Sequence, residues 1–574
     1  MRLSCRRDQK RFMDKKAIIA VAICGVIMIL YYPFILPLLS SKTAKVAEEI
    51  PEEIVPQKSR EAKTAEATRS LPDQKTIEPQ KDVPTQEVVL ENEFVRTVWT
   101  NEGAALKSIQ LKHFKDAGAK KILDLLEDVN TEYRPLAIDA ILQQPDFFRQ
   151  RYQIVEQGKD TIIFSTKLNK EMNLVKTVTM PSDKYHISME VALENTTDAE
   201  TAASYSIIAS SLITHEGVPA TDIAAVLGVD MGNKRTKLLK MAPKELPSKN
   251  ESVGIVWAGS TNKYFSTILQ PASSDMIASV NAQALNAEGV LTNEKAELAD
   301  FMVMIQTNKF RIPPHETARH RYIYFMGPKK EQILKQYETL DVLLDYGWFT
   351  VISKMLLAFL NAVYRVIPNY GISIILLTII IKAILFPLTR KSQVSMFRMQ
   401  QLQPMINQLK EKYKHDKQKM GKEQMLLFKK YGVNPMSGCL PMLLQLPVFF
   451  ALFRTLQLSF EMRQAPFMFW INDLSAPDTL LTLPFTIPFI GSALNILPLI
   501  MTGVSFVQMK VTPKAPATDP QAQAQQKMMS FMPIMFAFIL YHMPSGLTIY
   551  WTTSTIFSII EGIVIRKTIK KIRT

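Results

Sequence analysis

The segment Ile372–Leu388 reads ISIILLTIIIKAILFPL, and one lysine, Lys382, stands inside it. A membrane helix needs about 20 apolar residues to cross a hydrocarbon core about 30 Å thick, and this run comes close. A charge at that depth costs roughly 2.5–3.5 kcal/mol on insertion scales. Two readings account for it. In one, the ammonium snorkels to an interface marked by Arg390 and Lys391, about two turns or roughly 12 Å away. In the other, it lines a polar cavity within a helical bundle. Thr378, four residues earlier, shares its helix face.

Working outward, the 574-residue chain divides into two kinds of sequence. Its hydrophobic fraction of 47% averages a polar, alternating stretch up to residue 345 with a half dominated by long apolar runs. That division predicts a soluble domain joined to a membrane domain. The net charge of +15 is unevenly placed. Basic residues gather before the apolar run Ala17–Leu39, between Arg390 and Lys430, and at the end from Arg566 to Arg573. The loop Glu461–Asp478 has only Arg463 against Glu461, Asp473 and Asp478. This is a positive-inside pattern. No base-reading or stacking element accompanies the charge, so a nucleic-acid substrate is not expected. The cysteines, Cys5, Cys24 and Cys439, all lie outside the soluble stretch, which must be held by an apolar core.

The predicted organisation runs as follows. A basic amino terminus, residues 1–16, precedes an uncleaved anchor over 17–39, about 23 residues long. Residues 40–87 are rich in Pro, Glu, Lys, Thr and Ala and read as a flexible tether. Residues 88–345 carry short alternating runs, among them Phe94–Thr100, Thr161–Lys167, Asn173–Met180, Tyr185–Leu193, Ser204–Ser210, Ser252–Trp257, Lys263–Gln270, Ala299–Thr307 and Ala318–Met326. They predict a large antiparallel β-sandwich, closed by an amphipathic helix over Lys329–Asp341. Residues 346–366 suit an interfacial helix, with Thr350, Lys354, Asn361 and Arg365 on one stripe. Residues 371–566 hold five spans: the Lys382 run, Leu440–Leu458, Pro484–Gln508, Met529–Met543 and Leu547–Ile565. A helical hairpin over 390–433, with arms 391–413 and 418–431, projects to the basic side, and 567–574 is a basic tail. The fold class is thus α+β: a six-span helical bundle with both termini in the cytoplasm and a β-sandwich outside.

No Walker A sequence, GxSxG elbow, HExxH or paired CxxC appears, so no enzyme, metal site or cofactor is expected. What remains is polar decoration within apolar spans: Lys382 and Thr378, Gln445 in the next span, and Thr552, Thr553, Ser554 and Thr555 in the last. In lipid each needs a partner or water, and together they predict a hydrated pocket within the bundle. The chain is also rich in methionine, 29 in all, including Met532 and Met535 in the fifth span. Flexible thioethers suit a surface that takes many apolar partners, although core filling is their ordinary use.

Several short stretches, in order, resemble the YidC family of bacterial membrane-protein insertases. They include Tyr346-Gly347-Trp348, Phe386-Pro387-Leu388-Thr389, Leu402-Gln403-Pro404, Tyr431-Gly432-Val433-Asn434-Pro435, Gly438-Cys439, Arg463-Gln464-Ala465-Pro466-Phe467, Asp473-Leu474-Ser475 and Pro544-Ser545-Gly546-Leu547. The resemblance implies a multi-pass protein of the bacterial inner membrane, with a periplasmic supersandwich similar to sugar-mutarotase folds. It implies insertion and folding of nascent membrane proteins, alone or with the Sec translocon, through a hydrophilic groove. Lys382 matches the groove's cation, which is arginine in many members; lysine keeps the charge but loses the bidentate fork. Thr378, Gln445, Tyr550, Trp551 and Ser554 would line the groove, and Met442, Met532, Met535 and Phe536 would offer apolar contact to the client. The hairpin and tail would meet ribosomes, a targeting receptor or lipid head groups. Two other classes compete: a small-solute transporter, which should show repeats with broken helices, and a membrane-anchored sugar-binding protein. No convincing internal repeat or catalytic pair is present.

Overall fold

The computed structural model describes residues 83–568, apart from 128–131, 142–145, 169–171, 212, 216–221, 233–234, 247, 251–253, 287–290, 293–300, 434–439, 489 and 513–519. The anchor 17–39, the tether up to residue 82 and the tail beyond Thr568 lie outside the described residues, as does the side chain of Met442. One compact unit ends at Asp345 and another begins at Tyr346.

The first unit is built from antiparallel sheets. Met172–Thr179 (MNLVKTVT) alternates buried and half-buried residues along its length, as a strand with one face on a core must. It sits within a nine-stranded sheet. The order is Thr236–Met241, Ala224–Asp230, Ile255–Thr261, Phe265–Pro271, Thr317–Pro328, His186–Asn195, Met172–Thr179, Thr161–Lys167 and Gln153–Gln157. A six-stranded sheet contains Ile277–Leu285, Phe301–Thr307 and Tyr205–Ser211, and a four-stranded one covers Glu87–Asp124. The two larger sheets meet at hydroxyls: Ser210 Oγ lies 2.6 Å from Ser260 Oγ and 2.9 Å from Thr267 Oγ1. Trp99, Phe164, Trp257, Phe265, Phe301 and Phe325 are fully buried.

Each strand expected from alternation is present, displaced by a few residues at its ends. Others carried no such signal. Ala224–Asp230 (AAVLGVD) is buried along most of its length, and Ile277–Leu285 (IASVNAQAL) is alanine-rich. The helix expected over Lys329–Asp341 is corrected. It is one turn, Glu331–Leu334, followed by a 3-10 turn at Leu340–Leu343. Thr339 between them takes a φ of 74°, and a left-handed residue cannot continue a right-handed helix.

Two lysines are enclosed in this unit. Lys176 Nζ donates to the carbonyls of Ala104 (2.7 Å) and Leu136 (2.5 Å), and Lys329 Nζ donates to that of Asn262 (2.6 Å). Burial pulls both ammonium groups down to about 7.

The second unit is helical. Its helices are α1 (Thr350–Val366), α2 (Tyr370–Gln401), α3 (Gln403–Lys412), α4 (Lys417–Lys430), α5 (Leu440–Leu458), α6 (Leu497–Val511), α7 (Pro520–Leu540) and α8 (Ser545–Thr568). Two of them, α2 and α8, are long and apolar enough to cross a membrane, with mean hydropathies of 2.4 and 1.3. The apolar parts of α5, α6 and α7 are shorter. Large aliphatic and aromatic side chains face outward on several helices: Ile380 and Ile384 on α2, Val507 on α6, Phe531 on α7, Ile560 and Val564 on α8. Contiguous exposure of this kind marks a surface made for an apolar surrounding.

Two expected boundaries are corrected here. The span Pro484–Gln508 is a β-hairpin, Thr479–Ile487 with Gly491–Asn495, followed by α6. Pro484 and Pro488 withhold helix donors, and Gly491 turns with a φ of 82°. The hairpin arm expected from residue 391 does not start there. Helix α2 runs unbroken past Pro387 to Gln401, and the chain breaks only at Leu402, ahead of Pro404.

Candidate functional site

Helices α2 and α8 pack along much of their length, and their polar residues fall on facing stripes. On α8 these are Tyr550, Ser554, Ser558 and Glu561, spaced by four, four and three residues. On α2 they are Thr378, Lys382 and Thr389. Lys382 is 8% exposed, and its Nζ donates to Ser558 Oγ at 2.9 Å. The ammonium therefore points across to α8. The Ser558 hydroxyl in turn donates to the Ser554 carbonyl at 3.0 Å. Thr378 is enclosed, and its hydroxyl donates back to the Ile374 carbonyl at 2.7 Å, so it is satisfied within its own helix.

A second polar contact lies about two turns, roughly 12 Å, up α8. Gln445 of α5 donates from Nε2 to the phenol oxygen of Tyr550, which is buried. Beside it, Trp551 is bracketed by aromatic rings: Phe449 at 5.3 Å edge-on and Phe536 at 4.9 Å. Met532 and Met535 are half-buried on α7. The structure thus brings Gln445, Tyr550, Trp551 and Phe536 together, and separately Lys382 with α8.

Two residues at the site escaped the sequence reading. Ser558 had no signal beyond its spacing from Ser554. Glu561 did: it is the one acid within the run from Leu547 to Ile565, just as Lys382 is the one base in its own. It is 4% exposed and lies near Thr389 of α2, whose hydroxyl donates to the Phe386 carbonyl at 3.1 Å.

The amino-terminal ends of α2 and α8 are covered by the loop Phe460–Asp478. A Cβ at Gly371 would stand 2.0 Å from the Phe467 ring, so α2 can carry only glycine where the loop crosses it. Asn369 Nδ2 donates to the Phe467 carbonyl at 3.0 Å, and the amides of Gly546 and Ser545 donate to Leu474 and Ala476. Asp478 closes the loop by accepting from Trp470 Nε1 (3.1 Å) and the amides of Ile496 (3.0 Å) and Leu497 (2.6 Å) at the start of α6. Its burial pushes the carboxyl up, against the pull of those donors.

Helix α1 lies on α5: Ser353 Oγ donates to the Ala451 carbonyl at 3.2 Å, and Leu356 and Leu360 are buried in the shared core. Val351, Met355 and Val366 face outward. Of its polar stripe, Asn361 accepts from the Tyr370 hydroxyl at 3.0 Å, while Lys354 and Arg365 are exposed. Among the described residues no group of three His, Cys, Asp or Glu side chains could hold a metal ion.

Two family models match the chain: the 60Kd inner membrane protein over residues 362–572 and the YidC periplasmic domain over residues 87–359. Among curated proteins, the membrane protein insertase YidC of Pelobacter propionicus is 32% identical over 90% of this chain and 94% of its own length. Its counterpart in Syntrophobacter fumaroxidans is 32% identical, covering 86% of this chain and 88% of that one. That of Geotalea uraniireducens is 30% identical over 97% of this chain and 100% of its own. Among solved structures, a galactose mutarotase-like protein from Lactobacillus casei aligns with 42% of this chain and 100% of its own, at a TM-score of 0.31 and 10% identity.

Proposed function

The chain belongs to the YidC family of membrane protein insertases, and we propose that it works through a wet, cationic groove between α2, α5 and α8. It inserts membrane proteins, and its substrates are nascent membrane proteins. In this reading Lys382 is an electrostatic receptor. It draws an acidic or polar part of the client partway across the bilayer and so lowers the cost of that crossing. The client's apolar segment then moves sideways into lipid, driven by burial of about 20 apolar residues. The membrane potential adds roughly 2.3 kcal/mol per charge per 100 mV. Gln445, Tyr550, Trp551 and Ser554 line the groove's far half. Met442, Met532, Met535 and Phe536 offer the client apolar contact.

The same reading gives six spans in the bacterial inner membrane, both termini in the cytoplasm, and the β-unit in the periplasm. The loop Phe460–Asp478 stoppers the groove on the periplasmic side. Helix α1 lies in the interface, and the basic α3–α4 hairpin receives ribosomes, a targeting receptor or anionic lipid. In this reading the protein works alone or with the Sec translocon.

One observation carries the reading: Lys382 is buried between two helices with its ammonium on Ser558, in place of reaching for the basic edge at Arg390. The test is insertion yield in liposomes for matched single-span clients that differ only in tail charge. Lys382→Arg should keep activity, and Lys382→Glu should abolish insertion of clients with acidic tails. Lys382→Ala should impair acidic tails more than neutral ones, with the gap narrowing as salt rises. Equal yields for wild type and Lys382→Ala with every tail would sink the receptor role.

A further inference from the structure

Lys382 does not face the groove alone. Glu561 stands three residues beyond Ser558 on the same stripe of α8, and it interacts electrostatically with the Lys382 ammonium. The ammonium donates to Ser558, and Thr389 of α2 lies near the carboxyl with its own hydroxyl turned to the Phe386 carbonyl. One carboxyl oxygen, Oε1, is enclosed and has no hydrogen-bond partner among the described residues. A carboxylate 4% exposed in an apolar bundle is costly to keep without a cation near it. Lys382 supplies that cation, and Glu561 in turn partly neutralises Lys382.

We infer that Glu561 is a specificity-determining residue of the groove, a resident counter-ion of Lys382 that weakens its preference for acidic client segments. The inference rests on the receptor role of Lys382 proposed above. A lone buried cation would bind any carboxylate that reached it. With Glu561 beside it, part of that positive field is already cancelled, so an incoming acid is drawn less strongly, while a neutral polar segment is little affected. Discrimination of this kind weakens the attraction for one class of partner. Glu561 acts through Lys382, so its effect should vanish when Lys382 is neutral.

The experiment uses the full chain in liposomes and two single-span clients, identical except for an acidic or a neutral translocated tail. The reading is the ratio of acidic-tail to neutral-tail yield. That ratio is insensitive to a general loss of stability, which lowers both yields. Glu561→Gln should raise the ratio about three- to tenfold, the scale of one partly screened charge contact. Glu561→Ala should do the same and stands in if the amide disturbs folding, judged by a monodisperse profile in detergent. Glu561→Asp should stay near wild type. In a Lys382→Gln background, Glu561→Gln should leave the ratio where Lys382→Gln alone puts it. If Lys382→Gln lowers the ratio but neither neutral variant of Glu561 raises it, this inference fails and the receptor role stands. A rise of equal size in the Lys382→Gln background would also overturn it. If Lys382→Gln leaves the ratio unmoved, both readings fall together.

Discussion

Gln445, half-buried, and Tyr550, buried, form a polar pair between α5 and α8, and the amide is what satisfies the enclosed phenol. Tyr550→Phe removes the acceptor and leaves the Gln445 amide without a partner. That should cost about 1–3 kcal/mol of stability, the usual penalty for an unsatisfied buried donor. Adding Gln445→Leu should recover most of the loss, because two apolar groups need no partner. Thermal melts of the four proteins in one detergent give the cycle, and additive losses would mean the pair is not coupled. At this scale the sequence was legible wherever a residue contradicted its surroundings. Lys382 and Gln445 stand out in apolar runs, and both make contacts across helices. Thr378 looked similar on paper, but a hydroxyl can turn back on its own helix, and it does so. Glu561 met the test applied to Lys382. It sits near the basic end of α8, where a charge reads as the edge of the membrane, yet packing against α2 encloses it.

The contact of α2 with the loop that covers it depends on the absence of a single carbon. Gly371→Ala would place a methyl 2.0 Å from the Phe467 ring, so the ring must swing or the loop must lift. The expected cost is about 1–3 kcal/mol, as for other overpacked sites. Protease susceptibility of the segment around Phe467, compared with wild type, locates the damage; an unchanged melt and digest would refute the contact. Element boundaries were the least legible part of this unit, for a clear reason. Hydropathy reports which residues are apolar, and both a membrane helix and an exposed apolar hairpin are apolar. The stretch from Thr479 to Asn495 is as oily as a span. Its conformation is decided by Pro484, Pro488 and the positive φ of Gly491. The extent of α2 was missed for the opposite reason: Pro387 reads as a stop, but a long apolar helix tolerates it and continues to Gln401.

In the whole molecule, the β-unit holds two lysines that should make its stability depend on pH. Lys176 and Lys329 titrate near 7 when folded, whereas a free lysine titrates near 10.5. Between those values the unfolded chain holds more protons than the folded one, so stability rises with pH across that window and is flat below it. The Trp99 and Trp257 signal of the full chain should therefore melt at a higher temperature at about pH 9 than at about pH 7. Lys176→Met should shrink that difference, and a melt that falls over the window would contradict it. The antiparallel β-unit itself was legible because its strands alternate, and alternation with a core on one face has few other meanings. The buried lysines were not, since Lys176 falls on the inward phase of MNLVKTVT and reads there as a break in the pattern.

The unbroken run of α2 has a mechanical consequence. At 1.5 Å per residue its 32 residues make a rod about 48 Å long, some 18 Å more than a hydrocarbon slab about 30 Å thick. It is pinned at one end, where Gly371 lies under Phe467. Lys382 then sits about 16 Å from the pivot and Gln401 about 45 Å. If the rod stays stiff, a push on the α3–α4 hairpin moves the lysine about a third as far. Pro387, between the two points, is where bending would absorb the stroke. Any displacement of the α3–α4 hairpin and the lysine's position are thus linked through one continuous helix.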